Sequence, residues 1–349
     1  MAVTIKDVAS LSGVSLATAS RVLNAKPGVK ADTRERVLSI AKELNYLPNQ
    51  VAASMKTKRT NTIGLVVADI TNPFYAEIAK TIEMRARECD YTVIIGNTDN
   101  RRVLQEEIVS NLSQKRVDGF IFASVEFADQ STTRLIRSGL PCIMYHRRLD
   151  NPQSHFVGTD DGHGIGLAVE HLCALGHEKI AYISGSRLLS TGRDRFEAFL
   201  TRCRDAGLPY RDEYIKEGGY NRLKTAAATE ELIALPDPPT AIIAANDLMA
   251  LQVLDRLCAS GYRVPEDFSV VGFDNVPMAA HSMIRLTSVD AKAGESARMA
   301  IDSLLNILDG VIPNNEPLDQ RIKPELIIRS TTGAPRRGRL GKPETGGIL

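Results

Sequence analysis

Cysteine is scarce and poorly placed for cross-linking, with five thiols in 349 residues at Cys89, Cys142, Cys173, Cys203 and Cys258. Their number is odd and no pair stands in C-x-x-C spacing, so neither a disulfide framework nor a thiolate zinc site is supported. They read as buried, reduced thiols. Long apolar runs are also missing, and nothing approaches the ~18 residues a membrane-spanning helix needs. The first twenty residues mix charged and small polar groups from Thr4, Lys6 and Asp7 onward, without the apolar core or cleavage site of an export signal. The expected location is cytoplasmic. Catalytic signatures are lacking too: there is no G-x-S-x-G elbow, H-E-x-x-H pair, phosphate-binding loop or paired G-x-G-x-x-G. Gly162-His-Gly-Ile-Gly166 comes nearest but lacks both the spacing and an acidic residue ~20 positions later, so it reads as a helix start. His163 and His171 are too far apart for a helical zinc pair, and the six histidines are expected to be structural. No catalytic residue, metal or cofactor is expected.

What remains is ordinary globular composition, 43% apolar and 24% charged with 25 Gly and 16 Pro, which excludes collagen, a coiled-coil rod and wholesale disorder. The length suits about two to three domains. The net charge of +1 hides a segregation: residues 1–60 hold ten Lys/Arg against four Asp/Glu, leaving 33 against 38 in the remainder. A basic head on an acidic body is what a nucleic-acid partner at one end would select. A merely solvated basic surface is the alternative.

The head resolves into three short helices. Residues 4–11 place Ile5, Val8, Ala9 and Leu11 on one stripe, with Thr4 and Asp7 spaced as a capping box. Ser12-Gly13 breaks the helix, and Ser15 caps a second one carrying Ala19, Val22 and Leu23 inward. Asp32-x-x-Glu35 is expected to cap a third helix with Val37, Ile40, Ala41 and Leu44 on one face, ended by Pro48. Two helices meeting at a glycine turn and closed by a third form a helix-turn-helix. The outward residues of the second helix are Leu16, Ala17, Thr18, Ser20 and Arg21. The first of these are short or apolar, suited to close approach and to thymine methyl groups, and Arg21 can make a bidentate contact with guanine.

The run Val3-Thr-Ile-Lys-Asp-Val-Ala-Ser-Leu-Ser-Gly-Val-Ser-Leu-Ala-Thr-Ala-Ser-Arg-Val-Leu-Asn24 resembles the headpiece of the LacI/GalR family of bacterial repressors. Thr33-Arg34, Glu43-Leu44-Asn45-Tyr46, Pro48-Asn49 and Val51-Ala52 continue the likeness, which extends to about Gly333. The resemblance implies a helix-turn-helix headpiece over 1–47, a hinge helix and linker over 48–60, and a two-lobed effector-binding and dimerisation core over 61–333. Candidate DNA contacts are Ser15, Leu16, Ala17, Thr18, Ser20, Arg21 and Asn24, followed in the hinge by Asn49, Ala52, Met55 and Lys56. In the family the hinge folds on operator DNA and wedges apolar side chains into the minor groove. The match puts Met55 at the wedge, where leucine is commoner, facing a CpG step at the centre of a pseudo-palindromic operator. By itself residues 50–56 are too short to hold a helix, and an ordinary linker is the other reading.

From residue 63 short apolar runs alternate with amphipathic stretches, at 63–68, 91–96, 119–123, 142–145, 180–184, 240–245 and 269–273. Such runs with long crossovers signal parallel sheets covered on both faces, and ligands bind these sheets at the carboxyl ends of their strands. The fold class expected is therefore an all-α headpiece followed by an α/β core of two doubly wound parallel-sheet lobes. The resemblance makes that core periplasmic-binding-protein-like, with one lobe at about 61–160 plus 292–320 and the other at about 163–288 plus 321–333.

Polar residues at strand ends supply the ligand candidates, including Asp69 and Asp160-Asp161-Gly162. Effector positions carried by matching motifs are Phe74 and Tyr75 in Asn-Pro-Phe-Tyr, Arg147 in His-Arg-Arg, Arg195 in Thr191-Gly-Arg-Asp-Arg-Phe, Asn246 in Ala-Asn-Asp-Leu-Met-Ala, and Asp274 in Gly-Phe-Asp-Asn. Thr191 and Tyr220 complete the set. Carboxylate, amide, guanidinium and aromatic groups together suit a polyhydroxyl ligand such as a sugar. Leu189 stands where the purine-responsive member has Arg, which argues against a purine, and Ala291 stands where many relatives have Gln. The tail, 334–349, is basic and rich in Gly and Pro, and disorder is expected. With no zipper in that tail, a homodimer on a two-fold operator is expected. The whole reads as a sequence-specific DNA-binding regulator, more naturally a repressor than an activator, governed by a sugar-like effector. A cytosolic sugar-binding protein and a sugar-modifying enzyme on the same core are the rivals.

Overall fold

The computed structural model describes residues 3–24, 27–46, 59–209 and 211–336. Residues 49–56, with Asn49, Ala52, Met55 and Lys56, fall outside the described residues, as does the tail from 337 onward. The backbone divides into two units, Met1–Thr60 and Asn61–Leu349.

In the first unit, the Asp7 carboxylate accepts hydrogen bonds from the backbone N–H and hydroxyl of Thr4, both at 2.8 Å, and so closes the first turn of α1, Ile5–Leu11. Gly13, at φ +64, takes the left-handed conformation that turns the chain. Ser15 then caps α2, Leu16–Leu23, by accepting from the Thr18 N–H at 3.1 Å. Helix α3, Ala31–Glu43, completes a core of Val8, Ala9, Ala19, Val22, Val37 and Ala41. Three expectations are corrected. Leu11 is 62% exposed, and Val14, brought back by the turn, packs on the core instead. Lys30 rather than Asp32 is at the N-cap of α3, leaving Asp32 inside the first turn, where its charge favours the helix dipole. The helix also stops well before Pro48, because Asn45 adopts φ 47 and the Tyr46 N–H returns to the Ala41 carbonyl.

The second unit follows an alternating order: β1 Thr62–Val67, α4 Pro73–Glu88, β2 Thr92–Asn97, α5 Arg102–Gln114, β3 Gly119–Ala123, α6 Gln130–Arg137, β4 Cys142–Tyr145 and β5 His155–Thr159. After α7, Asp161–Ala174, come β6 Ile180–Ser184, α8 Ser190–Asp205, β7 Ile215–Glu217, α9 Arg222–Ile233, β8 Ala241–Ala244, α10 Asp247–Ala259, β9 Ser269–Phe273 and β10 Thr287–Asp290. Helix α11, Ala293–Leu308, and strands β11, Asp319–Ile322, and β12, Glu325–Ile327, finish the unit. Two six-stranded sheets result, ordered β11-β5-β4-β3-β1-β2 and β12-β10-β9-β8-β6-β7. Among the described pairings only β10 with β12 is antiparallel. Strands such as β3 and β6 are buried along their whole length, as a sheet covered on both faces requires.

The chain passes between the sheets after β5, after β10 and after β11, and the Thr159 hydroxyl bonds the Ala291 carbonyl at 2.7 Å, joining the first two passages. Strand β11 pairs with β5 as far as Ile322, so residues 321 and 322 belong to the first sheet, not to the second lobe as expected. Strands β5, β7, β10, β11 and β12 lie outside the seven apolar runs. Strand β10 is short and its buried Thr287 and Ser288 are polar, their hydroxyls satisfied by partners distant in sequence, Arg329 and Thr332 for Thr287 and Asp247 for Ser288. The tail also departs from expectation at its start, since Arg336 pairs with Asp267 at 2.8 Å.

Candidate functional site

Between the carboxyl ends of the two sheets lies a cavity of 610 Å³. All eight effector candidates line it. Phe74, Tyr75 and Arg147 come from the first lobe, and Thr191, Arg195, Tyr220, Asn246 and Asp274 from the second. Local sequence explains their placement. Asn72 caps α4 with Pro73 at its first position, which sets Phe74 and Tyr75 at the helix start facing the cavity. Asn246 likewise caps α10, accepting from the Met249 N–H at 3.0 Å, so its amide nitrogen is the group left to donate to a ligand.

The guanidinium groups are held from both sides. Arg147 donates to the Tyr75 hydroxyl at 3.0 Å and to Asn100 at 2.9 Å. Arg195, 1% exposed, donates to Asp161 at 2.7 Å and to the Ala245 carbonyl at 2.6 Å, with Asp274 3.6 Å away. Burial opposes the charge of Arg195, but Asp161 and Asp274 outweigh it and the group stays cationic. Burial raises both of those carboxyls, against the pull of Arg195.

Of the six histidines, His146 is the one that reaches the cavity. Its ring lines the cavity against Phe74, with centroids 4.6 Å apart. Burial, reinforced by Arg195 and Arg147, lowers its pKa well below the ordinary value and keeps it neutral. His146, Tyr220 and Asp274 all adopt positive φ, at 63, 58 and 105. Backbone strain of this kind costs of order 1–3 kcal/mol per residue and gathers at functional sites. The Tyr220 ring occupies the space where a Cβ on Gly185 would stand, so a glycine is required there.

Asn100, Asn221, Arg222, Gln252 and Asp255, none of them a candidate from the sequence, also line the cavity. Their signal was weak because they sit within helices or in turns, not at strand ends. Asp161 was noticed only as a strand-end residue, and its position behind Arg195 is what gives it a role. Leu189 is buried at the N-cap of α8 and is not among the cavity residues.

In the first unit, Ser15, Leu16, Ala17, Arg21 and Asn24 are exposed, with Thr18 and Ser20 half-buried. Ser15 is engaged with Thr18, and the Asn24 amide donates to the Ser20 carbonyl at 2.8 Å. Arg21 has no hydrogen bond or ion pair among the described residues. Leu16, Ala17 and Arg21 therefore form the free face of α2. Among the described residues no cluster of metal-ligating groups occurs and no helix is long and apolar enough to cross a membrane.

A helix-turn-helix module on one chain with a two-lobed core enclosing a polar cavity defines a DNA-binding regulator of the ligand-responsive class. Residues 4–49 match the model for bacterial regulatory proteins of the lacI family, and residues 169–332 match a periplasmic binding protein-like domain. The chain is 34% identical to the transcriptional repressor PurR of Photobacterium profundum over 330 residues, covering 94% of this chain and 98% of that one. It is 36% identical to catabolite control protein A of Priestia megaterium, covering 83% and 87%. The Lac repressor dimer bound to operator and the anti-inducer ONPF superposes with a TM-score of 0.84 at 28% identity, covering 96% and 100%. A CelR–cellobiose complex superposes with a TM-score of 0.72 at 31% identity, covering 94% and 99%. This chain belongs to the LacI family of bacterial regulatory proteins.

Proposed function

We propose that this protein is a cytoplasmic transcriptional repressor without enzymatic activity or cofactor. It binds a pseudo-palindromic operator as a homodimer and changes its grip when a sugar or sugar derivative enters the cavity between the lobes. One observation carries the reading: eight residues spread over 200 positions of sequence converge on a single cavity, while the α2 face of a separate module stays exposed. The cavity offers acceptors in Asp69 and Asp274, donors in Arg147, Arg195 and Asn246, and aromatic walls in Phe74 and Tyr220. That is the mixture hydroxyl groups require. A ligand with different affinity for the open and closed arrangements of the lobes shifts their populations and, through the hinge, the spacing of the headpieces. DNA contact is assigned to the α2 face and to Asn49, Ala52, Met55 and Lys56.

The test begins with thermal shifts of the full chain against sugars, sugar phosphates and purine bases. Operator selected from random duplexes is then titrated with and without the stabilising compound. A sugar should raise the melting temperature and alter operator affinity, and Asp274→Asn should remove that response while leaving unliganded operator binding intact. Stabilisation by purines alone would reassign the effector, and turnover of a sugar would favour an enzyme.

A further inference from the structure

The lobes touch directly at a place that is not part of the cavity wall. Arg148 follows β4 in the first lobe, and its Nη2 and Nε donate to Asp194 Oδ2 on α8 of the second lobe at 2.5 and 3.2 Å. The Arg148 backbone N–H donates to the Ser190 hydroxyl at 2.7 Å. Nearby, the Phe127 N–H of the first lobe donates to the Leu188 carbonyl of the second at 2.8 Å, and Arg193 lies over the Phe127 ring, 4.1 Å from its centroid. None of these six residues lines the cavity. Arg148 and Asp194 instead border a separate recess open to solvent.

Chain adjacency gives the contact its meaning. Arg148 is the neighbour of Arg147, and Asp194 the neighbour of Arg195, guanidinium groups that face the cavity from opposite lobes. We propose that Arg148 and Asp194 are positioning residues, a clasp that holds the lobes together and fixes the spacing of Arg147 and Arg195 that a bound ligand meets. The ion pair is partly exposed, its side chains 32% and 26% accessible, so alone it contributes modestly and weakens with salt. Asp161, Asp319 and Arg321 interact electrostatically with the pair, and Asp160, Glu197, Arg202 and Asp205 border the same recess. Two backbone hydrogen bonds and a cation–π contact act with the pair, so opening the lobes there breaks all of them together.

Two of the interlobe bonds are made by backbone amides, which provide a direct readout. Residue-resolved hydrogen exchange is measured on the full chain for the wild type, Arg148→Gln, Asp194→Asn and the charge-swapped double variant Arg148→Asp/Asp194→Arg. In each single variant exchange at the backbone amides of positions 127 and 148, taken relative to the intrinsic rate of the residue present, should rise at least about threefold. Ile121 and Ile243, in the centres of the two sheets, should keep their protection, and the swapped pair should recover slow exchange. Unchanged exchange in the single variants overturns the clasp, as does a swapped pair that exchanges as fast as they do. An equal loss of protection at Ile121 and Ile243 also overturns it, by showing general destabilisation. The measurement needs neither ligand nor DNA, so a cavity that binds no sugar would leave its outcome untouched.

Discussion

Arg195 lies over Phe273 with its Cζ 3.6 Å from the ring centroid, while its Nε is fixed by Asp161 at 2.7 Å. A guanidinium stacked on an aromatic face and pinned at its edge has little freedom left, and its remaining surface faces the cavity. Removing the cation strands two buried carboxyl groups. Arg195→Met is therefore expected to lower stability by about 3–5 kcal/mol, in the range for breaking a buried pair from one side, as read by urea denaturation. A loss below about 1 kcal/mol would mean that Asp161 and Asp274 are solvated or protonated without cost.

Asp247 predicts a pH dependence. Burial pushes its carboxyl up to about 7, although Ser288 and the Val276 N–H both donate to it. An unfolded aspartate titrates near ~3.9, so between these values the folded chain keeps a proton that the unfolded chain has lost. Stability from this group is present at low pH, declines as pH rises from about 4 to 7, and is constant above that. Buried His146 and His177 have lowered pKa values and act with the opposite sign, but they are common to wild type and variant. The difference in urea midpoint between Asp247→Asn and wild type should therefore move in favour of the variant from pH 5 to pH 8. A constant difference would show that Asp247 is ionised throughout.

Arg21 stands on the free face of α2. Arg21→Ala is expected to weaken binding to a selected operator by ~1–3 kcal/mol and to relax preference at one base position. Equal losses on all duplexes, measured by fluorescence anisotropy at fixed salt, would place Arg21 on phosphate.

Met55 is assigned to the wedge between central base pairs on the sequence match alone. Met55→Gly should lower specific affinity and reduce DNA bending, because glycine cannot unstack a base step. Unchanged bending in a circular-permutation mobility assay would remove the assignment.

The sequence by itself determined what depends on neighbours within a few positions: the caps at Thr4 and Ser15, the glycine turn at Gly13, the apolar strands of the parallel sheets and the strand-end residues of the cavity. The departures in the headpiece are equally local, since Asp32 stands two residues past the cap and Leu11 lies off the core face of its helix. Tertiary structure alone decided which distant groups meet. Arg195 finds Asp161 34 residues away, Arg148 finds Asp194 46 away, and Arg147 finds Tyr75 72 away. Strand β10 and the cavity-facing ring of His146 belong to the same category. Short-range propensity selects helix or strand, but side chains are brought together by the crossovers between parallel strands and by three passages of the chain between lobes, which leave no mark in local sequence.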